Sequence, residues 1–407
     1  MSSATDIHTN WWERSDLKYI GSQLHFAGHN LNDLINTHGT PVYYYSTDRI
    51  LENIRRIQQA MTSVGLDHQL LYAMKANRHP EILRSIANNT DCGIDACSPG
   101  EVLLAVASGF DPSRISLTST AVGAKDWETY CKFPDMKFNC DSISSIHRIG
   151  QSKYRSSIGI RINPAVGVGY NSNTMVQYAG TKPTKFGIYE DRISEAQETA
   201  KRYGLNIEGI HMHAGSGFVQ SGLVNYRRAL EKLVNIARQF NSLEYINIGG
   251  GLGVPLTSED KQINLDDWSE IVSETVGKLG VRVYLEPGDH IVKDAGILAS
   301  TVIEVEKKGS ITFTFVDAGF NIHPEPAFYD LPCEPVPVIE HKSKSNTLTT
   351  IVGNINEAID IFNRDHPISL NEGETIVFIN AGAYGASMSS NHCLRSVAIE
   401  HILHQNE

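Results

Sequence analysis

The sequence predicts an α/β protein that combines a (β/α)8 barrel of the TIM type with a C-terminal all-β domain. Between about residue 40 and residue 295, short apolar segments rich in Val, Ile and Tyr alternate with amphipathic segments of ten or more residues. This alternation is the pattern of parallel strands joined by helices, and the number of repeats favours a closed barrel over an open sheet. Beyond residue 295 the segments are short, β-branched and separated by turns, which is typical of an all-β domain.

The predicted elements can be followed along the chain. "TPVYYYS" opens the pattern, "ILENIRRIQQAM" has a helical period, and "HQLLYAM" has the composition of a strand. "SPGEVLLAVASGF" predicts a helix that begins after Ser98 and stops at Gly109. Later repeats include "SSIGIRIN", "EAQETAKRYG", "IEGIHMHAG", "EYINIGGG" and "VRVYLEPG". We therefore predict that residues 40–295 form the barrel and that residues 1–39 and 296–407 form a domain similar to a β-sandwich.

The composition excludes several classes of partner. Asp and Glu outnumber Lys and Arg by 46 to 35, a net charge of -11, which argues against nucleic acid or an anionic membrane. No apolar run approaches the ~18 residues of a transmembrane helix, and the N-terminal residues do not read as a secretory signal. The six cysteines lack metal-type CxxC pairs, so we expect reduced thiols, a cytoplasmic location and no metal site.

Four chemically distinctive positions follow predicted barrel strands: Lys75, His213, the glycines Gly249 to Gly251, and Glu286. Catalytic groups of such barrels lie at the C-terminal ends of the strands. Each position alone has a structural explanation, because a buried lysine can pair with a carboxylate, a histidine can be part of the core, and glycines can simply form a turn. The set together fits pyridoxal 5'-phosphate, which needs a desolvated lysine of lowered pKa, a glycine-rich phosphate site, a flat ring partner and a carboxylate at the pyridine nitrogen.

The motifs "YAMKAN", "HMHAGSG", "NIGGGLG", "EPG", "NINEAID" and "AGAYGASMSSN" occur in an order that resembles the fold-type III pyridoxal phosphate decarboxylases. This family includes the diaminopimelate, ornithine and arginine decarboxylases, and the similarity to the diaminopimelate enzymes is greatest. It runs from about residue 40 to about residue 400. The resemblance implies an alanine racemase-like fold and a homodimer in which the loop "GNINEAID" of one chain completes the active site of the other.

The resemblance also implies roles for individual residues. Lys75 would form the Schiff base with the cofactor, His213 would stack on its ring, and Glu286 would hold the pyridine nitrogen. The phosphate would be bound by Ser216, Gly249, Gly250, Gly251, the backbone at Gly288, and Tyr384. The substrate would be contacted by Asp289, Glu325, Tyr329, Asn356, Glu357 and Tyr384.

Two departures from the family pattern concern substrate recognition. The usual EPGR is "EPGD" here, so Asp289 replaces an arginine, and "EPAFY" places Glu325 where the family has a second arginine while retaining Tyr329. In diaminopimelate decarboxylases these arginines hold the distal carboxylate, which two anionic residues would repel. We therefore expect a substrate that lacks this carboxylate and can carry a distal cation. The alternative is that the acids face solvent and the site is rearranged.

A third departure concerns proton delivery. Asn356 replaces the loop cysteine that the family uses to protonate the carbon from which CO2 has left, and an amide cannot act as a general acid. Glu357 and Asp360 remain. Either Cys393, His392 or water delivers the proton, or the reaction takes an oxidative or transaminating side path.

These observations leave a ranked set of hypotheses. The first is a pyridoxal phosphate-dependent amino-acid carboxy-lyase whose substrate lacks the distal carboxylate. The second is a true diaminopimelate decarboxylase that forms L-lysine from the meso isomer, against which Asp289 and Glu325 count. A catalytically silent regulatory homologue is disfavoured by retention of Lys75, and a racemase is disfavoured because Glu286 stands where racemases carry an arginine.

Overall fold

The computed structural model of the protein describes residues 10–152, 154–180, 182–341 and 348–404. The chain divides into two compact units. The barrel unit comprises Leu51–Val254 and Lys261–Ile291, and the β unit comprises Met1–Ile50, Pro255–Asp260 and Val292–Glu407. Within the described ranges, no helix has both the length and the apolar character needed to cross a membrane. All six cysteines are free thiols.

The barrel unit contains a closed barrel of eight parallel strands. The last barrel strand, Arg282–Leu285, pairs with the first, His68–Ala73, and closes the ring, and each remaining strand pairs with the next along the chain. The predicted fold class is therefore confirmed. The N-terminal part of the β unit supplies β1 (Leu17–Ile20), β2 (Gln23–Phe26), β3 (His29–Asn30), α1 (Leu31–His38) and β4 (Val42–Ser46). The barrel strands are β5 (His68–Ala73), β6 (Gly93–Ala96), β7 (Ile115–Ser119), β8 (Lys137–Cys140), β9 (Ser157–Arg161), β10 (Asn206–His211), β11 (Tyr245–Asn247) and β12 (Arg282–Leu285).

Helices connect the barrel strands. The fourth helix shows how the sequence sets their limits: the Ser98 hydroxyl accepts the Glu101 N–H at 3.2 Å, so the helix begins at Pro99 as predicted. It ends at Ala107, and Gly109 follows with a φ of +100°. The helices are α2 (Thr47–Ser63), α3 (Pro80–Asn89), α4 (Pro99–Ala107), α5 (Ala124–Tyr130), α6 (Ile143–Ser152), α7 (Ile193–Arg202), α8 (Leu223–Ala237), α9 (Leu265–Glu274) and α10 (Asp289–Val292).

A tyrosine fills part of the barrel interior. Tyr245 is 1% exposed and donates its hydroxyl to Asn139 Oδ1 at 3.0 Å across the barrel. A Cβ at Gly209 would lie 2.0 Å from the Tyr245 ring, and one at Gly159 would lie 2.4 Å from its hydroxyl. Only glycine therefore fits on the two strands that face this ring.

The β unit contains the strands β13 (Gly296–Lys308), β14 (Ile311–Val316), β15 (Pro335–Pro337), β16 (Thr349–Val352), β17 (Ile361–His366), β18 (Thr375–Phe378) and β19 (Ile399–Leu403). It is built around a mixed sheet in the order β15, β18, β13, β14, β16, β17. Strand β4 also pairs with β13 and β19 in this unit. "TPVYYYS" thus belongs to the mixed sheet and not to the barrel, because the strands that pair with β4 within the described ranges are β13 and β19. The unit also contains the helix α11 (Glu325–Tyr329).

Candidate active site

Lys75 lies two residues beyond β5, at the C-terminal end of a barrel strand. The turn that carries it is fixed by backbone contacts: Ala73 N–H donates to Pro287 O at 3.1 Å, and the Tyr72 hydroxyl donates to Asn77 O at 2.7 Å. Both bonds are buried, so the position of Lys75 depends on the fold and not on its own side chain.

The amine of Lys75 pairs with a buried carboxylate that was not among the residues predicted from the sequence. Lys75 Nζ lies 2.6 Å from Asp95 Oδ2, with the Lys75 side chain 39% exposed and that of Asp95 4% exposed. Burial lowers the pKa of Lys75, but the carboxylates of Asp95 and Glu286 raise it more, so its pKa lies above the ordinary lysine value. The lowered pKa expected from the sequence is therefore wrong, because Asp95 compensates for the cost of burial.

The small residues beside Lys75 have a packing role. A Cβ at Gly288 would lie 3.1 Å from Ala76 Cβ and 3.3 Å from Ala73 Cβ. Larger side chains on this turn would push the "EPG" backbone away. The two alanines therefore allow Gly288 to approach the turn that carries Lys75.

Glu286, one residue past β12, is the centre of a buried hydrogen-bonded group. Its Oε2 lies 2.8 Å from His211 Nε2, and its Oε1 accepts from Asn247 Nδ2 at 2.5 Å. All three residues are at most 5% exposed. Burial alone would raise the pKa of Glu286, but His211, Lys75 and Asn247 lower it to about 2. The carboxylate is therefore held ionised in the interior of the barrel.

His213 presents a neutral ring at the same rim. Its Nδ1 accepts the Gly250 N–H at 3.2 Å, so the proton is on Nε2, which lies 3.5 Å from the Ser216 hydroxyl. The Tyr178 ring packs against it with a centroid distance of 5.1 Å. Burial lowers the pKa of His213 well below the usual histidine value, and the positive charge of Lys75 lowers it further. The ring can therefore offer an uncharged face.

The glycine loop after β11 approaches its neighbours more closely than any side chain would permit. A Cβ would lie 2.3 Å from Met212 O at Gly249, 2.1 Å from Glu286 O at Gly250, and 2.3 Å from Gly215 O at Gly251. Gly249 and Gly251 also have positive φ angles, +67° and +105°. Among the described residues, no acceptor receives the buried N–H of Gly251 or of Gly288. Two backbone N–H groups without an acceptor among the described residues, next to a glycine-rich loop, are suited to binding a phosphate.

This set fits pyridoxal phosphate. An amine on the rim, an uncharged ring, a buried ionised carboxylate and free backbone donors all lie within the barrel unit. Lys75, His213, Ser216, Gly249 to Gly251, Glu286 and Gly288 could hold the aldehyde, ring, nitrogen and phosphate of the cofactor in the roles expected from the sequence.

Asp289 follows Gly288 as the first residue of α10. It is 7% exposed, and a Cβ at Gly217 would lie 3.8 Å from its Oδ2. The side chain therefore points along the "HAGSG" loop within the barrel unit and not into solvent.

Glu325 lies in the β unit and is paired with a cation. Lys293 Nζ lies 2.8 Å from Glu325 Oε1, and the two side chains are 4% and 7% exposed. Together they line a small cavity with His323, Cys333, Glu334 and Asn380. The pair carries no net charge, so Glu325 does not provide the uncompensated anion that the sequence suggested.

Two tyrosines of the β unit were also predicted to contribute. Tyr329 is the half-buried last residue of α11. Tyr384 is half-buried, has a φ of +53°, and its ring centroid is 6.0 Å from Lys293 Nζ. A positive φ is rare for a bulky side chain and often marks a functional position.

The loop that carries Asn356 and Glu357 faces solvent. Residues 356–359 are exposed, while Asp360 is 3% exposed and accepts the N–H groups of Phe320 and Ile355 at 2.7 Å each. Glu357 Oε1 lies 3.3 Å from His392 Nε2. The structure thus brings His392 to Glu357. Cys393 is exposed and has a φ of +54°.

Four residues that pair with predicted site residues were not themselves predicted from the sequence: Asp95, His211, Asn247 and Lys293. Three of them had a signal in the sequence, because each lies in or at the end of a barrel strand, in "CGIDA", "GIHMH" and "YINIG". A polar residue in an apolar strand needs a buried partner. Lys293 had no comparable signal, because it follows α10 and does not lie in an apolar strand.

Comparisons with known proteins show the family to which the chain belongs. Residues 47–293 match the family model of the pyridoxal-binding domain of pyridoxal-dependent decarboxylases. The chain is 32% identical to the diaminopimelate decarboxylase of Methanothermobacter thermautotrophicus, over 90% of this chain and 87% of the relative. It is 31% identical to that of Aquifex aeolicus, over 94% and 91%.

Two solved structures of decarboxylases share the fold of this chain. Diaminopimelate decarboxylase from Helicobacter pylori complexed with L-lysine superposes with a TM-score of 0.84 at 28% identity, over 92% of this chain and 94% of that one. Lysine decarboxylase from Selenomonas ruminantium shares the fold, with a TM-score of 0.78 at 22% identity over 92% and 95%. The chain therefore belongs to the pyridoxal-dependent decarboxylase family and is an enzyme of the fold-type III group that uses pyridoxal phosphate.

Proposed function

We propose that the chain decarboxylates an amino acid, free or conjugated, that lacks the distal carboxylate of diaminopimelate and can carry a distal cation. The observation that supports this most is Asp289, a buried acid where the family has an arginine. At the second anchor the arginine is also missing, and Glu325 is neutralised by Lys293. Neither position retains the arginine that the family resemblance implies, so the two cations that would attract a distal carboxylate are missing.

The residues of the chain have separable roles in this proposal. Pyridoxal phosphate, when bound, supplies a ring that accepts the electron pair released as CO2 leaves. Lys75 would hold the aldehyde carbon through its amine, and the ionised Glu286 would accept a hydrogen bond from the ring nitrogen. His213 would cover the ring, while Ser216 and the N–H groups of Gly251 and Gly288 would orient the phosphate.

Proton delivery would come from the exposed loop and its neighbours. Asn356 is an amide and supplies no acid, whereas Glu357 holds His392 at 3.3 Å. We propose His392 as the donor, with Cys393 and water as the alternatives. His392→Asn would then raise the share of carbonyl side product relative to amine, and Cys393→Ser would not. The reverse pattern would identify the thiol, and no change in either variant would identify water.

We further propose a homodimer with shared active sites. The loop 356–359 is exposed, and Ile359 and Leu394 expose 49% and 89% of their surface. If each loop serves the other chain, mixing inactive Lys75→Ala with inactive Glu357→Ala restores about a quarter of the activity, because half of the dimers then have one intact site. No recovery after mixing of the two dimers would contradict shared sites.

The substrate proposal is tested with a panel of amino acids. The cofactor-loaded protein is incubated with lysine, ornithine, arginine, meso-diaminopimelate and diamino-acid conjugates, and CO2 and product mass are followed. CO2 from cationic substrates but not from diaminopimelate supports the proposal. A protein that takes up no pyridoxal phosphate in excess contradicts it.

A second candidate is a true diaminopimelate decarboxylase that forms L-lysine. It is favoured by the relatives, which carry that name at about 31% identity over most of the chain. CO2 release from meso-diaminopimelate with L-lysine as product would establish it and would show that Asp289 does not exclude a distal carboxylate.

A further inference from the structure

The hydrogen-bonded group around Glu286 extends beyond the residue that would contact the cofactor. We infer that His211 is a positioning residue: its Nε2–H holds the Glu286 carboxylate ionised and in one orientation, and thereby sets the protonation of the pyridine nitrogen that Glu286 would contact. The inference rests on the proposed function of this site. It assigns a role to the first histidine of "HMH", whereas the sequence pointed only to His213.

The contact geometry supports the inference. His211 is the last residue of β10, and its Nε2 lies 2.8 Å from Glu286 Oε2, with the side chains 2% and 4% exposed. A carboxylate can only accept, so Nε2 carries the proton of this bond. No other described residue bonds to His211 Nδ1, which is itself buried. The only polar contact of this side chain within the described ranges is therefore Glu286.

The second oxygen of Glu286 is fixed as well. Asn247 Nδ2 donates to Oε1 at 2.5 Å, and Asn247 Oδ1 accepts the Gly249 N–H at 2.9 Å. Gly249 O in turn accepts the Glu286 N–H at 2.8 Å. The carboxylate is thus held between two strand ends and linked to the glycine loop.

The balance of charges shows why a partner is needed. Burial raises the pKa of Glu286, and His211 is the foremost group that lowers it, followed by Lys75 and Asn247. Among the described residues, the titratable groups of Asp95, His213 and Tyr245 also interact electrostatically with Glu286. Without His211, part of the compensation for burying the carboxylate is lost. A less ionised Glu286 would hold the proton on the ring nitrogen less firmly, which makes the ring a weaker electron acceptor.

The test uses three substitutions in full-length holoenzyme. His211→Leu removes the donor, His211→Gln retains an N–H group at similar reach, and His211→Asn retains an N–H group that is too short to reach Glu286. His147→Gln on α6 is the matched control, since the ring of His147 contacts the Tyr203 hydroxyl on the outer helices at 3.2 Å.

The readout is the 15N chemical shift of ring-labelled pyridoxal phosphate, together with the pH dependence of its visible absorption. A hydrogen bond to a charged group is worth enough to change the ring-nitrogen protonation equilibrium by roughly ten- to a hundredfold. We expect the Leu and Asn variants to shift the ring nitrogen toward its unprotonated form by that factor. The Gln variant and His147→Gln should retain the wild-type shift.

The possible outcomes separate the inference from the function on which it rests. A wild type that binds the cofactor and decarboxylates, with an unchanged 15N shift in His211→Leu, overturns the inference alone. If the Leu variant does not fold, identical 15N shifts in the Gln and Asn variants overturn the inference. A 15N shift in His147→Gln as large as that in the His211 variants also overturns it. A wild type that binds no pyridoxal phosphate overturns both.

Discussion

Lys293 and Glu325 form an ion pair in which both side chains are buried, at 4% and 7% exposure, and Lys293 Nζ lies 2.8 Å from Glu325 Oε1. The sequence alone suggested that Glu325 reverses the charge of a substrate anchor. Because Lys293 pairs with it, Glu325 does not add an uncompensated negative charge at this position. The proposal about the substrate therefore rests on the identity of residue 289 more than on that of residue 325.

Removing one member of this pair should destabilise the β unit. Glu325→Gln leaves the Lys293 ammonium buried without its anionic partner, and we expect the free energy of unfolding to fall by about 3–5 kcal/mol. Urea denaturation followed by far-UV circular dichroism measures this change. The control is the double variant Lys293→Met with Glu325→Leu, which should cost less than Glu325→Gln alone. A loss below about 1 kcal/mol in Glu325→Gln would show that the pair is solvated.

Asp289→Arg restores the residue typical of the family and should change substrate preference. We expect the ratio of kcat/KM for meso-diaminopimelate to that for lysine to rise by roughly tenfold or more, because a repelling charge becomes an attracting one. Asp289→Asn separates the loss of the anion from the gain of the cation and should give an intermediate ratio. An unchanged ratio in both variants would mean that residue 289 does not select the substrate. Glu325→Arg is unsuitable for this purpose, since it would place a second cation beside buried Lys293.

The barrel and the rim positions of Lys75, His213 and Glu286 could be predicted because strand periodicity and strand ends are local features of the sequence. The side chains that pair with Lys75 and Glu286 could not be predicted in the same way. Asp95 lies 20 residues from Lys75, and His211 lies 75 residues from Glu286, so only closure of the barrel brings them together. Strand β4 was placed in the barrel because its apolar composition suits any buried strand. The pairing partners that decide its sheet lie more than 250 residues further along the chain.

Asp95→Asn should move the pH dependence of cofactor capture. The Asp95 carboxylate raises the pKa of Lys75, so its removal lowers that pKa and increases the fraction of neutral amine at a given pH. The rate of pyridoxal phosphate binding, followed by stopped-flow absorbance, should therefore reach its plateau at lower pH. At a pH below the plateau the rate rises by roughly tenfold for each pH unit of the displacement. Asp91→Asn, an exposed acid just before the same strand, is the control, and an identical displacement there would exclude a specific effect of Asp95.

The stability of the β unit in acid should depend on His323. This side chain is 3% exposed, and burial together with the charge of Lys293 lowers its pKa to about 3. The folded state therefore keeps His323 neutral at pH values where the unfolded chain takes up a proton. The contribution of His323 to the free energy of unfolding is complete above the pKa of ~6.5 that a histidine has in the unfolded chain. This contribution is lost progressively as the pH falls toward 3.

His323→Phe removes the titration and retains an aromatic ring beside Phe362 and Phe378, whose centroids lie 6.1 and 6.3 Å away. The free energy of unfolding of both proteins is measured at pH 8 and at pH 5. The difference at pH 8 gives the cost of the substitution itself, which includes the contacts of His323 with Tyr43 and Cys333. Between pH 8 and pH 5 the wild type should lose about 2 kcal/mol more than the variant. Equal losses of unfolding free energy in the two proteins would show that His323 is already charged in the folded protein at pH 5. The assignment of a neutral charge state to this buried histidine would then be wrong.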